Sequence, residues 1–282
     1  MKKAAVLNDL SSFGKCSLTA AIPVLSAQGV QCCPIASAVL TNQTGYEHFK
    51  CTDLTSMIPD YIEAWQKNGA HFDGIYSGYM TGHKQIELFM DFLDAFYEGN
   101  TLLLVDPVMG DDGRTYGMYT NELLDMMKIL SRKADIITPN LTEACLLADY
   151  DIKDVYKDTR KETLLPLATE VAEKLRSLSG KDQDVIITGI KCKDDKAPFI
   201  YNLVTTANGT TTHRSHFFDI SFSGTGDLFA SVVCGSRLNG FSTEESVQRA
   251  GKFIYDSIAD TMNDDAVPND GVNFEKFLHE LM

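Results

Sequence analysis

Short apolar runs that stop abruptly at polar turn residues alternate along this chain with stretches of helical spacing, and few folds accept that pattern. Residues 4–7, 101–105 and 134–138 are largely apolar runs, the last two stopped by Asp106-Pro107 and Pro139-Asn140. A strand that is apolar at consecutive positions is buried on both faces, as in a parallel sheet covered by helices. Elsewhere apolar residues fall three and four apart: Leu54, Met57, Ile58, Tyr61, Ile62 and Trp65, then Ile86, Phe89, Met90, Leu93 and Phe96, then Leu164, Leu167, Ala168, Val171, Leu175 and Leu178. Each set is one face of a 3.6-residue period. Further strands are expected at residues 30–40, 74–77 and 184–188, and helices near 17–28, 141–147, 247–258 and 274–281. Asn208-Gly209, flanked by β-like runs at 199–206 and 210–217, signals a hairpin. The alternation predicts an α/β fold with a mostly parallel central sheet, helices on both faces, and a single domain over residues 1–282.

A chain of 282 residues with 44% hydrophobic content supports a full core for one such domain. Its net charge of −14 disfavours nucleic acid as a partner, so a phosphate has to be met by local amides, a metal and a few cations. The cysteines, at 16, 32, 33, 51, 145, 192 and 234, are odd in number and form no C-x-x-C pair, which reads as reduced core thiols in a cytoplasmic protein. The apolar run at the N-terminus is too short for a signal peptide or a span, so no membrane is expected.

In sheets of this type ligands bind beyond the carboxyl ends of the strands. Polar clusters follow the expected strands at Asn8-Asp9, Ser77-Gly78-Tyr79, residues 106–111, Thr138-Pro139-Asn140 and Thr188-Gly189. The segment Phe222-Ser223-Gly224-Thr225-Gly226-Asp227-Leu228-Phe229-Ala230 runs from small residues into an apolar helix. Glycines let backbone N–H groups converge on an anion, and a helix N-terminus adds partial positive charge. Asp227 is either a structural cap or a base for a hydroxyl attacking a phosphoryl group. The segment is not a dinucleotide fingerprint, because Phe229 stands where a third glycine belongs, and the chain has no G-x-x-x-x-G-K-[ST] motif. Asp106 and Asp111, in Asp106-Pro107-Val108-Met109-Gly110-Asp111, offer hard oxygens for Mg²⁺. In Thr138-Pro139-Asn140-Leu141-Thr142-Glu143, Asn140 reaches a nucleotide phosphate or, like Thr142, caps the following helix, where Glu143 is electrostatically favoured in any case.

These motifs, with Thr41-Asn42-Gln43-Thr44-Gly45-Tyr46, occur in the order and approximate spacing of the pyridoxal (vitamin B6) kinases, and the chain resembles that family of the ribokinase-like superfamily from Val6 to about Ile258. The resemblance implies a ribokinase-like fold and an ATP-dependent kinase acting on the 5′-hydroxymethyl group of a B6 vitamer. Asp227 would be the catalytic base, and Gly224, Thr225 and Gly226 the anion hole for the transferred phosphoryl. Asp111 and Glu143 would organise Mg²⁺ largely through water, with Asp106, Thr138 and Thr188 around a monovalent cation such as K⁺ and the phosphates. Asn140, Thr188 and Gly189 would contact the nucleotide phosphates, with Phe222 toward the adenine. Thr44 and Tyr79 would hold the pyridine ring, and Tyr119 would belong to a segment over the site. The resemblance also implies a homodimer, for which an edge strand near residues 30–40 is available.

Two substrate-side positions depart from the family. Asp9 falls where animal members carry serine, an aspartate there being similar to the sister hydroxymethylpyrimidine kinases, and Gln43 falls where histidine is common beside the ring. An aspartate there favours a protonated or amino-bearing ring, hence pyridoxamine or pyridoxine over the aldehyde. Hydroxymethylpyrimidine kinase is the near alternative, and a sugar kinase of the superfamily is disfavoured by Tyr79 and residues 41–46. From another class, a catalytically silent ligand-binding homologue is disfavoured by the presence of Asp227, Asp111, Asn140 and Glu143. The scattered histidines are not expected to be catalytic. Lys15, Arg114 and Lys191 are the cations to watch near phosphate, Arg114 foremost, and Asp112 is read as a solvated surface charge.

Overall fold

A computed structural model describes residues 1–117, 119–193, 199–264 and 267–282. In chain order the elements are β1 (Lys3–Ser11), α1 (Ser17–Ala27), β2 (Gln31–Leu40), β3 (Cys51–Asp53), α2 (Ile58–Lys67), β4 (Gly74–Ser77), α3 (His83–Phe96) and β5 (Leu102–Val105). There follow β6 (Gly110–Asp111), β7 (Arg114–Thr115), α4 (Asn121–Lys133), β8 (Ile136–Ile137), α5 (Leu141–Leu147), α6 (Ile152–Val155) and α7 (Lys161–Ser179). The chain closes with β9 (Asp184–Cys192), β10 (Phe199–Thr206), β11 (Gly209–His216), α8 (Thr225–Leu238) and α9 (Thr243–Thr261). The fold is α/β with a mostly parallel sheet, as the alternation predicts. Among the described residues no helix is long and apolar enough to cross a membrane.

The chain divides into two compact units, residues 1–104 with 220–282, and residues 105–219. In the first, the strand order is β5-β4-β1-β2-β3, with β1 parallel to both β2 and β4. Ala4 to Leu7 of β1 are wholly buried at consecutive positions, so helices cover both faces of this strand. α1 packs on β1 and β2 and against α8, which in turn packs on α9. β3 was not expected from sequence, because three residues are too few to show a period. It pairs antiparallel with β2 over positions 38–40, so the strand expected as an open edge is covered there by the chain itself. The apolar stripe of α2 is only half-buried, with Ile58 its one fully buried residue.

In the second unit the order is β11-β10-β9-β8, with β8 parallel to β9 and β9, β10 and β11 an antiparallel meander. The hairpin between β10 and β11 forms as the sequence signals. Thr206 pairs with Gly209, so its turn is Ala207-Asn208 and Gly209 opens β11. Residues Phe274–Leu281 of the first unit form a 3₁₀ helix rather than the α-helix their spacing suggests, with only Phe274 and Leu281 buried.

Candidate active site

In the first unit, α8 begins at Thr225 immediately after Gly224, whose φ of +82° is left-handed. A side chain there has no room, because a Cβ would lie 2.0 Å from the Lys15 carbonyl oxygen. Gly224 therefore lets the chain enter α8 while lying against the start of α1. The first intrahelical bond runs from the Leu228 N–H to the Gly224 carbonyl, so the amides of Thr225, Gly226 and Asp227 are not spent inside the helix. Three donors and the positive end of a helix dipole together suit an anion. The Thr225 hydroxyl donates to the Phe222 carbonyl, tightening the turn.

Asp227 stands in the first turn of α8 and keeps part of its surface exposed. Asn8 at the end of β1 donates from Nδ2 to its Oδ1 at 2.9 Å, and the Ser17 backbone N–H donates to the same carboxylate. Ser17 opens α1 with a left-handed φ of +52°, unusual for a residue with a side chain. Burial pushes the Asp227 carboxyl up to about 6, Asp9 adds to the rise, and the Ser17 and Asn8 donors oppose it. A carboxylate with that value accepts a proton near neutral pH while remaining mostly ionised.

Asp9 is 5% exposed and accepts from the Ser11 hydroxyl at 2.7 Å and from the Ser17 side chain. Burial raises its carboxyl above the ordinary value. Tyr79, half-buried at the end of β4, has its phenol pushed up to about 12 by burial and then by Cys51, Asp9 and Asp53. The first unit thus gathers Asp9, Tyr79 and Asp227 around the ends of β1 and β4. Gln43 is buried, but its amide serves the loop: Oε1 accepts from the Gly45 N–H at 2.7 Å, and Nε2 donates to the Asn269 carbonyl at 3.1 Å. Its neighbour Thr44 is exposed, and Tyr46 donates to Asp270. Phe222 is buried at 4% exposure.

In the second unit, the Thr138 hydroxyl donates to Asp106 Oδ1 at 2.9 Å in a buried pair. Asn140 caps α5 in a complete capping box, accepting from the Glu143 N–H at 3.0 Å while Glu143 Oε2 accepts from the Asn140 N–H at 2.9 Å. Glu143 Oε1 takes the Met109 N–H at 3.0 Å, and Asn140 Nδ2 donates to the Gly110 carbonyl at 2.7 Å. One carboxylate therefore ties α5 to the loop that carries Asp111. Burial, with Asp106 close by, pushes the Glu143 carboxyl well above its ordinary value. Thr142 is not the cap: its Oγ1 accepts from the Gly113 N–H and meets the Tyr156 hydroxyl.

Asp106, Thr138, Glu143 and the exposed Asp111 are hard oxygen donors, the chemistry Mg²⁺ requires. Among the described residues no three carboxylate, histidine or cysteine side chains converge to hold a metal by themselves. That fits an ion held by one or two carboxylates, waters and phosphate oxygens, and does not fit a dedicated protein cage.

Thr188 and Gly189 form a bulge in β9, two residues opposite Asn202 of β10. The Gly189 N–H, expected to meet phosphate, donates to Asn202 Oδ1 at 3.1 Å, and the Thr188 N–H donates to the Pro139 carbonyl. Tyr119 is half-buried, its N–H bonded to the Tyr116 carbonyl. Two cations are committed elsewhere. Lys15 binds the Val272 carbonyl, Asn273 and Glu275, and Lys191 pairs with Asp112 at 2.8 Å. Asp112 is thus one half of an ion pair and not a lone solvated charge. Arg114 lies exposed in β7 and forms no ion pair among the described residues.

Asn8 stands in a polar cluster that the sequence marks, but its partner lies 219 residues away, so spacing does not reveal its role. Ser17 gave no signal, because its contribution is a backbone N–H.

A family model described as phosphomethylpyrimidine kinase matches residues 12–269. A solved structure from Bacteroides thetaiotaomicron, provisionally named a phosphomethylpyrimidine kinase and crystallised with pyridoxal, superposes with a TM-score of 0.89 at 37% identity, covering 99% of this chain and 95% of that one. A Saccharomyces cerevisiae protein provisionally named a pyridoxal kinase is 30% identical over 72% of this chain, a match that spans 64% of its own length. The pyridoxine/pyridoxal/pyridoxamine kinase of Bordetella avium is 26% identical over 88% of this chain and 82% of its own. With the GTGD turn, the clamped Asp227 and the Asn140–Glu143 box on the same chain, these matches establish membership: the chain belongs to the phosphomethylpyrimidine kinase family, with the ribokinase-like fold of the pyridoxal kinases.

Proposed function

We propose that this protein is an ATP-dependent kinase that phosphorylates the 5′-hydroxymethyl group of a B6 vitamer, pyridoxal, pyridoxine or pyridoxamine. The observation that carries the reading is Asp227, a carboxylate pushed up to about 6 in the first turn of a helix whose leading amides are unspent. The acceptor hydroxyl gives its proton to Asp227 as its oxygen bonds to the γ-phosphorus, the bond to the β,γ-bridging oxygen breaks, and ADP leaves. The backbone of Gly224, Thr225 and Gly226 would form the anion hole, with the unspent amides of Thr225 and Gly226 meeting the charge that develops on the phosphoryl oxygens. On this reading Asp9, Gln43, Thr44, Tyr79 and Tyr119 would each contact the substrate, and Asn140, Thr188, Gly189 and Phe222 the nucleotide. Asp106, Asp111, Thr138 and Glu143 would hold Mg²⁺, which when bound neutralises charge between the phosphates, and K⁺ is a candidate activator beside them.

The whole chain acts in this reading as one kinase domain, in a homodimer. All seven cysteines are free thiols, which supports a reducing, cytoplasmic setting. A second reading, phosphorylation of hydroxymethylpyrimidine, is favoured by the buried Asp9. ADP release measured with the three vitamers and with hydroxymethylpyrimidine separates them. Turnover is expected with the vitamers, pyridoxamine or pyridoxine ahead of pyridoxal. Turnover with the pyrimidine alone, or with none of the four, rejects the B6 reading.

A further inference from the structure

Asn8 is wholly buried at the end of β1, and its amide orientation is fixed by three contacts. Oδ1 accepts the Asp9 N–H at 3.0 Å and the Tyr79 N–H at 2.9 Å. Both are donors, so the atom between them has to be the oxygen. Nδ2 is thereby turned toward Asp227 and donates to its Oδ1 at 2.9 Å. The space around the amide is held open by Gly78, where a Cβ would lie 2.4 Å from Nδ2. Gly78 is itself anchored, its N–H bonded to the Leu7 carbonyl at 2.8 Å. β1 and β4 therefore present one N–H to one carboxylate oxygen, and the amide cannot flip without breaking two backbone bonds.

We infer that Asn8 is a positioning residue for Asp227, fixing the rotation of the carboxylate and holding it ionised through a hydrogen bond that the Asp9 and Tyr79 N–H donors enforce. The inference deepens the kinase reading and rests on it for its kinetic consequence, though the contact can be tested without turnover. A donor to a carboxylate favours the charged form and strengthens a base by keeping it ready at lower pH. The titratable groups of the described residues that face Asp227 are Asp9 on β1 and the Cys16 thiol before α1, and burial with both carboxylates nearby pushes that thiol up to about 12. Neither supplies positive charge. The opposing influences on Asp227 are neutral N–H donors, from Ser17 and Asn8, so losing one of the two has a large effect.

Asn8→Asp is nearly isosteric. Its Oδ1 keeps both backbone donors, while the former Nδ2 becomes an oxygen facing Asp227. The acid limb of the pH–kcat/KM profile is expected to move up by about two pH units, with turnover at pH 7 reduced about tenfold, recovery toward pH 9 and an unchanged KM for ATP. Gly78→Ala, which displaces the amide without changing its chemistry, should move the limb in the same direction. Melting temperature provides the readout independent of catalysis. Asn8→Asp should lower it, and combining Asn8→Asp with Asp227→Asn, which exchanges donor and acceptor, should recover more than Asp227→Asn alone adds to the wild-type protein. If the single variant does not fold, rescue by the exchange supports the contact and failure to rescue overturns it. A melting temperature of the exchange variant equal to the sum of the two single-variant shifts, or an unmoved acid limb in a folded Asn8→Asp, overturns the inference. A wild-type protein silent on every vitamer would reject the kinase reading and leave the exchange experiment to decide the contact.

Discussion

The backbone of Gly224 passes so close to Lys15 that a Cβ on the glycine would sit 2.0 Å from the lysine carbonyl oxygen. Gly226, two residues on, has no atom within 4 Å of the same test position and an ordinary φ. The two glycines of the GTGD turn therefore differ in kind. Gly224→Ala should abolish turnover and lower the melting temperature by several degrees, since left-handed strain and a backbone clash coincide. Gly226→Ala should melt at or above the wild-type temperature, alanine being favoured over glycine in a helix by about 0.5–1 kcal/mol. Its KM for ATP should rise at least tenfold, because the added methyl would enter the space proposed for the phosphate. Calorimetry and initial rates on the two variants check both halves.

Asp227→Asn should lower kcat by two to four decades, the usual scale of a lost general base, while leaving ADP binding near wild type. Its effect on stability has the opposite sign. Burial raises the Asp227 carboxyl from an ordinary 3.8 to about 6, so the folded chain holds this proton more tightly than the unfolded chain does. Below about pH 4 both states are protonated and the group costs nothing. Stability then falls as pH rises through about 4 to 6, and above 6 the full cost is present. The asparagine variant should accordingly melt higher than wild type at pH 7.5, and the difference should vanish near pH 4. Wild-type kcat should fall as pH drops through about 6. Thermal melts across pH, with rates alongside, test the sign.

What the sequence disclosed follows from how local each signal is. Apolar runs and their stops located β5 and α5, because a buried parallel strand and a helix of seven residues are each written in consecutive positions. The GTGD turn was legible for the same reason. β3 and the β6–β7 pair were not, since strands of two or three residues carry no period. The site was legible as residue types but not as commitments. Nothing in the spacing says that Gln43 gives its amide nitrogen to the Asn269 carbonyl, that Gly189 gives its N–H to Asn202, or that Lys15 is held by Glu275. Those are long-range hydrogen bonds, fixed only once the strands are ordered. Asn140 likewise has both ends of its amide committed, Oδ1 capping α5 and Nδ2 donating to the Gly110 carbonyl.

Asn140 separates cap from ligand experimentally. Asn140→Ala should cost about 1 kcal/mol for the lost cap and raise the KM for ATP at least tenfold. Asn140→Ser restores a capping oxygen for the Glu143 N–H but lacks the amide nitrogen. It should regain most of the lost stability and keep the raised KM. If both parameters return together, Asn140 serves only α5.

Ser17 meets Asp227 through its backbone and not through its side chain. It holds a left-handed φ of +52°, a conformation that costs an ordinary residue about 1–2 kcal/mol and a glycine nothing. Its N–H reaches Asp227. Ser17→Gly keeps the N–H and removes the strain, at the loss of the side chain's bond to Asp9. Turnover should stay within about threefold of wild type, with the acid limb of the profile unmoved. Ser17→Pro has no N–H and cannot adopt a positive φ, so it should lose turnover even where residual folding is detected by circular dichroism. An inactive glycine variant would place the role in the hydroxyl; an active proline variant would remove Ser17 from the clamp altogether.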